Sequence, residues 1–325
     1  MTAPAIVPMT LSDIFDRLFK LIGKTWIRNL ILASIILIIP VIMMSVGLES
    51  FFSSIATLAK ENEPGTPLAP EQFVMMFGSM AWFFIGLVIF ILATLATTLG
   101  VTIVACAETT GQPMTWQEAF KRVFSIRLAR MFGAYILQGL VFMGLFLPPY
   151  ILLIIAIVTK SPMLGLFAGF LLFACILIVI FFFIRWAFAV PAIAWEDHRV
   201  VGGLRRSWAL VKDNWWRVFG ILVLMGIMLS FAVSLIMTPV YVIAMWKFIA
   251  AYFETISSAG SHELDPTTLL EGFRSFGFGF GIVSGLGSVL QMLIAPLYVV
   301  ILYFDLRARK GEFSQGSSPE VPPAK

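Results

Sequence analysis

The chain has 325 residues, of which 60% are hydrophobic and only 12% are charged, whereas soluble domains carry roughly 25% charged residues. A soluble domain cannot expose apolar surface on that scale without associating, so the composition excludes an ordinary soluble fold. The net charge of +4 is modest, and we expect neither a nucleic-acid partner nor a cofactor.

Five or six apolar stretches approach or exceed the roughly 20 residues that a helix needs to cross a bilayer. Their apolar runs are continuous rather than alternating, which favours helices over a barrel. The predicted spans are residues 29–48, 78–105, 132–158, 163–190, 216–245 and 276–304. Because backbone groups in lipid must be satisfied within their own segment, we predict an all-α, polytopic transmembrane bundle of about six spans. Residues 1–310 would form a single membrane domain, and residues 311–325 a disordered cytoplasmic tail.

The loops of the first and last hairpins are predicted to be long and polar, at residues 50–77 and 248–275. The cationic residues divide unequally between the two sides of the membrane, with 18 of the 22 on the side that holds both termini. Segments rich in Lys and Arg stay in the cytoplasm. We therefore predict that both termini are cytoplasmic.

A short amphipathic segment precedes each odd-numbered span, and the three segments align on Arg17, Arg122 and Arg206. The pattern predicts three cytoplasmic interfacial helices and a threefold repeat of amphipathic helix plus hairpin. Such helices can lie at the headgroup level, with their arginines contacting anionic lipid or an acidic protein partner. The alternative is that they are connectors that only obey the positive-inside rule.

Two of these segments begin with a capping-box pattern, in which a Thr is followed three residues later by an acidic residue. The pairs are Thr10 with Asp13 and Thr115 with Glu118. The third segment lacks the pattern.

Acidic residues stand where the even-numbered spans reach the cytoplasmic side, at Glu108, Glu196 with Asp197, and Asp305. We predict interfacial charge pairs for them. The basic partners considered are Arg122, Arg206 and Arg307. The pairs could form a ring that gates or binds a ligand, or they could only pin the helix ends, since ion pairs on a wet surface contribute little.

Gly277, Gly281 and Gly285 form two overlapping Gly-xxx-Gly motifs in the last span. Missing side chains let another helix approach closely. The partner could be a helix of the same chain or a second copy, so a homo-oligomer stays open.

Several stretches resemble the membrane domain attached to some glycerophosphoryl diester phosphodiesterases, a family that includes stand-alone bacterial inner-membrane proteins. They are LSDIFDR at 11–17, AVPAIAWE at 189–196, GLRRSWALV at 203–211, NWWRV at 214–218 and LYFDLRAR at 302–309. The resemblance implies a multi-pass protein of the bacterial inner (plasma) membrane, serving as an anchor or partner. It implies no reaction, because the phosphodiesterase chemistry belongs to a separate soluble domain.

The sequence contains no P-loop, Rossmann fingerprint, metal-binding cluster or nucleophile elbow, so we predict no catalytic, cofactor or metal residues and no enzyme. The first hypothesis is a scaffold or anchor that interacts with lipid or a partner. The alternative is a transporter or permease for a small or lipidic solute, with a polar cavity at Gln138, Gln291, Thr94 or Thr97. A membrane-embedded enzyme acting on lipid is the third hypothesis.

Overall fold

The computed structural model describes residues 7–61, 69–258 and 266–313. Within these residues the chain is helical and forms no strand. The helices are α1 (Leu11–Glu61), α2 (Pro70–Thr109), α3 (Trp116–Val123), α4 (Ile126–Val158), α5 (Pro162–Trp186), α6 (Ala189–Trp195), α7 (Val200–Val211), α8 (Trp215–Ala244), α9 (Trp246–Ser258) and α10 (Pro266–Arg309).

Six segments of the described residues are long and apolar enough to cross a membrane. They are Leu11–Leu58, Pro70–Thr109, Ile126–Val158, Pro162–Trp195, Trp215–Ala244 and Gly277–Arg309. The prediction of an all-α chain with six membrane-spanning candidates is confirmed. Several of these helices exceed the roughly 20 residues that a bilayer requires, so they must tilt or protrude beyond the hydrocarbon.

The two long loops predicted at residues 50–77 and 248–275 are wrong over much of their length. Helix α1 continues to Glu61 because the residues after 50 remain largely apolar, and α2 begins at Pro70, whose fixed φ suits the first turn of a helix. The second region contains the amphipathic helix α9 and the start of α10 at Pro266. The remainder, residues 62–68 and 259–265, lies outside the described residues.

The first amphipathic segment is not a separate helix, because it continues without a break into the rest of α1. The second and third segments do form separate short helices, α3 and α7. Both predicted capping boxes form: the Thr10 and Thr115 amides donate to the Asp13 and Glu118 carboxylates at 2.8 Å, and each acidic residue's amide donates back to the hydroxyl at 3.3 Å.

The chain divides into two compact units. The first comprises Met1–Arg28, Leu99–Met225 and Pro296–Lys325, and the second Asn29–Thr98 and Gly226–Ala295. Of the 22 cationic residues, only Lys60, Lys247 and Arg274 fall in the second unit. The candidate functional residues of charged type therefore belong to the first unit.

In the first unit, α6 and α7 pack closely and bury the stretch after α5. A Cβ on Gly203 would lie 2.7 Å from Ile193 Cγ1, so only Gly permits this approach. The Ser207 hydroxyl accepts from the Phe188 amide at 3.0 Å and donates to the Arg185 carbonyl at 2.8 Å. These contacts fix the chain around Glu196, which follows α6 directly.

In the second unit, the three glycines of α10 lie against α1 of the same chain. A Cβ on Gly277 would lie 2.7 Å from Glu49 Cα, and one on Gly281 would lie 2.7 Å from Ser45 Cα. The atoms that a Cβ on Gly277 would meet are all backbone atoms, which cannot rotate away, whereas a Cβ on Gly285 would meet the Val41 side chain. Packing within one chain therefore accounts for the motif, as in other close helix pairs of membrane proteins.

Replacing Gly277 or Gly281 with Ala should lower the thermal unfolding temperature of the purified protein in detergent, because overpacking costs about 1–3 kcal/mol. The matched control is Gly287→Ala on the same helix, where the new Cβ would meet Met237 at an ordinary 3.8 Å. Because Ala is the better helix former by about 1 kcal/mol, the control should be neutral or more stable. Equal unfolding temperatures in all three variants would contradict the packing role.

Candidate functional site

The acidic residues that follow or end α2, α6 and α10 each accept hydrogen bonds from arginines in the first unit. Around Glu196, Arg206 donates from Nε at 2.8 Å and from Nη2 at 3.0 Å, which is a bidentate arrangement. The Tyr303 hydroxyl donates to the same carboxylate, and Arg307 Nη1 lies 3.4 Å from it. His198 Nε2 lies 3.0 Å from Oε2. We call this group, with Glu312, the Glu196 cluster.

The ionisation of the Glu196 cluster follows from burial and pairing together. Burial alone would raise the pKa of Glu196, but the hydrogen bonds from Arg206 and Tyr303 and the nearby Arg charges outweigh it, so the pKa lies below its ordinary value. Burial would lower the pKa of Arg206, and its bonds to Glu312 and Glu196 raise it instead. Glu196 is therefore an ionised acceptor held by fixed cations.

Glu312 brings the residues after α10 into the cluster. Its carboxylate accepts from Arg206 Nη2 and from Arg307 Nε, each at 2.7 Å. The Arg307 guanidinium also lies 5.0 Å from the ring centroid of Phe313, within the range of a cation–π interaction. The prediction of disorder from residue 311 is therefore wrong for residues 311–313, while residues 314–325 lie outside the described residues.

Asp305 is fully buried and binds the N-terminal segment. It accepts from the Met9 amide at 2.7 Å, from Arg217 at 3.3 Å and from Arg309 at 3.0 Å. Arg217 and Arg309 also donate to the Met9 carbonyl, each at 2.7 Å. Arg307, one of the three arginines considered as partners, does not pair with Asp305, because a residue two positions along a helix points to another face. Arg309, at position i+4, returns to the same face and pairs with it.

Glu108, at the end of α2, pairs with α1. Arg28 Nη2 lies 2.6 Å and Lys24 Nζ 3.7 Å from its carboxylate oxygens. Arg28 also donates to the Met114 carbonyl at 3.0 Å. The structure therefore pairs Glu108 with Arg28 and Lys24 of α1 and not with Arg122.

Asp197 occupies a left-handed backbone conformation with φ of 58°, which Asp tolerates better than most residues. Its carboxylate accepts from Arg130 Nη1 at 2.8 Å and Arg127 Nε at 3.2 Å. This pairing connects the start of α4 to the turn between α6 and α7.

The three arginines that align in the sequence have different environments. Arg206 is held by Glu196 and Glu312 in the Glu196 cluster. Arg122 lies half-buried on α3. Arg17 lines a cavity of about 250 Å³ together with Met9, Lys20, Leu21, Lys24, Glu108, Thr109 and Ile301. We call this the α1 cavity.

Two further observations concern the transport hypothesis and metal-ligating residues. The Thr94 and Thr97 hydroxyls donate to carbonyls of their own helix at 2.7 and 2.9 Å, and Gln291 is exposed whereas Gln138 is half-buried. Within residues 7–61, 69–258 and 266–313, no group of three or more His, Cys, Asp or Glu residues is arranged to hold a metal ion.

The sequence interpretation missed Arg28, Arg217 and Arg309 as partners and Tyr303 as a donor to Glu196. The contact of Arg185 with Trp208 was not predicted either: its guanidinium lies 4.7 Å from the Trp208 ring centroid and donates to that residue's carbonyl at 3.3 Å. The i,i+4 spacing of Asp305 and Arg309 could have predicted their ion pair from the sequence. The other pairings join segments far apart in the chain.

The fold and the charged ends of the helices define a helical protein of the multi-pass membrane type. The family model described as "Domain of unknown function (DUF7847)" matches residues 24–304, and the chain belongs to that family. This match gives no support to the resemblance to the phosphodiesterase membrane domain. No curated protein and no solved structure matches the chain.

Replacing Asp305 with Asn should strongly destabilise the protein, because it leaves Arg217 and Arg309 without their buried counter-charge. Breaking one side of a buried pair costs about 3–5 kcal/mol. The matched control is Asp213→Asn, since the Asp213 side chain is 67% exposed and pairs with Lys310 at 2.8 Å. Thermal unfolding in detergent measures both variants, and an equal, small effect would show that burial adds nothing to the Asp305 interaction.

The Glu196 cluster predicts a pH-dependent stability. The pKa values of Glu196 and Glu312 are lowered in the folded protein and return to about 4.5 on unfolding. The stabilisation of the folded protein by these two carboxylates is therefore complete above pH 4.5. It is lost as the pH falls through their lowered pKa values in the folded protein. We expect the unfolding temperature to fall below about pH 4.5 and Glu196→Gln to flatten the profile. The exposed control Glu71→Gln should leave it unchanged, and a Glu196→Gln profile identical to the wild type would refute the assignment.

Proposed function

We propose that the protein is a non-enzymatic scaffold or anchor of the bacterial inner membrane, with both termini in the cytoplasm. Its basic residues contact anionic headgroups or an acidic partner there. The observation that carries the proposal is the use of the carboxylates in ion pairs: Glu108, Glu196, Asp197 and Asp305 are each matched by cations. Cations such as Lys20 and Lys121 remain exposed and can interact with negative headgroups.

The same pairing supports a role without catalysis. A general acid or base works best with a pKa near the working pH. The pKa of Glu196 is displaced downward, away from neutrality, by its arginines and Tyr303. Asp305 has its oxygens occupied by Met9, Arg217 and Arg309. These carboxylates are suited to holding helix ends together.

The transporter alternative has less support. The prolines that could mark broken transporter helices, Pro40, Pro148, Pro149, Pro239 and Pro296, all lie inside continuous helices. A transporter would also need polar groups facing a path, whereas the Thr97 hydroxyl donates to its own helix.

Reporter fusions after residues 120, 206 and 313 should be active as cytoplasmic reporters, and insertions near residues 65 and 262 should be active as external reporters.

In vesicle flotation, the protein should be retained more by phosphatidylglycerol vesicles than by phosphatidylcholine vesicles. Arg122→Glu should reduce this excess retention of the protein without changing its unfolding temperature. Arg206→Glu should instead lower the unfolding temperature, because it opposes Glu196 and Glu312. The proposal would be refuted if the reporters at residue 120 or 206 were active on the external side. It would also be refuted if salt did not change the retention of the protein by phosphatidylglycerol vesicles.

A further inference from the structure

The turn after α10 folds the chain back onto the last turn of that helix. Gly311 has a left-handed conformation with φ of 75°, which glycine adopts at little cost. The Gly311 and Glu312 amides donate to carbonyls of the last helical turn at 2.9 and 3.2 Å, which is the hydrogen-bond pattern of a Schellman motif. The turn therefore places Glu312 and Phe313 beside Arg307. We call residues 311–313 the strap.

One carboxylate oxygen of the strap is held between two arginines. Glu312 Oε2 accepts from Arg206 Nη2 and from Arg307 Nε, each at 2.7 Å. Hydrogen bonds from a guanidinium group to an ionised oxygen are among the stronger ones, and arginine is the residue with which proteins often bind carboxylate and phosphate groups. The strap therefore occupies an anion site as a ligand that the same chain supplies.

Both arginines are also held by contacts that do not involve the strap. Arg206 donates to Glu196 at 2.8 and 3.0 Å, and Arg307 Nη1 lies 3.4 Å from the same carboxylate. The Arg307 guanidinium also lies 5.6 and 5.7 Å from the ring centroids of Tyr303 and Phe304. A site whose donors are fixed before the ligand arrives loses less entropy on binding. Without the strap, Glu196 would balance only one of the two positive charges, so the site would still attract an anion.

We propose that this site binds an acidic residue followed by an aromatic residue in a protein partner, and that the strap competes with the partner for it. Phe313 favours a protein as the ligand: its ring centroid lies 5.0 Å from the Arg307 guanidinium and 6.3 Å from the Phe304 ring centroid. A glycerophospholipid headgroup has no aromatic ring to take this place. The Glu312 side chain is 25% exposed, whereas Asp305 is fully buried, so the strap can leave without exposing the Asp305 interaction. This inference rests on the proposed function and identifies the acidic partner in it by its chemistry.

The test is the binding of a fluorescent peptide to the full chain in detergent, measured by fluorescence anisotropy. The peptide has the sequence KGEFSQ, which is that of residues 310–315. A tethered ligand acts at an effective concentration of roughly millimolar, so the strap should exclude the peptide from the wild-type site, and Glu312→Gln should bind it at least about tenfold more tightly. The matched control is Asp213→Asn, which removes the same charge from the exposed partner of Lys310 and leaves the strap in place. It should bind the peptide as the wild type does.

Gly311→Ala should open the strap without a change of charge, because Ala adopts the left-handed conformation less readily. It should also bind the peptide more tightly than the wild type, so the site is tested even if Glu312→Gln fails to fold. Equal affinity of the wild type and both strap variants for the peptide would overturn the site, as would equal binding of a peptide with Gln in place of Glu. If phosphatidylglycerol vesicles, and not the peptide, bound the strap variants more tightly than the wild type, the assignment of a protein partner would be overturned. Peptide binding in detergent involves no bilayer, so it is independent of the reporter fusions and the flotation that test the proposed function.

Discussion

The buried carboxylate of Asp305 is the interaction on which the arrangement of the first unit depends. A charge with no exposure is tolerated only when it is paired and hydrogen-bonded, and here the partners come from three separate parts of the chain. The Met9 amide, Arg217 at the start of α8 and Arg309 at the end of α10 all converge on one side chain. Moving any of these segments would remove a hydrogen-bond donor from the buried carboxylate. The interaction therefore fixes Met9 in the wall of the α1 cavity.

The same constraint explains which charges remain for contact with other molecules. Acidic residues beside apolar helices need cations close by, and the structure supplies them from neighbouring helices: Arg28 for Glu108, Arg206 for Glu196, and Arg130 for Asp197. Because the carboxylates are matched in this way, the basic residues on exposed surfaces, such as Lys20 and Lys121, are in excess. In the proposed function, the attraction to anionic headgroups would depend on these exposed cations rather than on the modest net charge of the whole chain.

The fold class and the six apolar helices could be predicted from the sequence, since apolar length and periodicity are local properties. The capping boxes at Thr10 and Thr115 could also be predicted, because both partners lie within one turn. The continuation of α1 to Glu61 could not, because Ser and Thr lower the local hydropathy without breaking a helix that is already propagating. The partners of Glu108 and Asp305 and the role of Tyr303 could not be predicted either, since those pairings join residues from 80 to 296 positions apart.

The sequence repeat around Arg17, Arg122 and Arg206 shows how one pattern can produce three different chemical environments. Helical periodicity determines the face of the segment on which an arginine lies. The tertiary fold determines which acidic residues lie close enough to pair with that arginine. Glu196 and Glu312 meet Arg206 and form an ion-pair cluster with it. At the Arg17 segment, the nearest acid of the cavity wall is Glu108, which Arg28 holds at 2.6 Å. The first copy of the repeat therefore lines a cavity, whereas the third copy forms part of an ion-pair cluster.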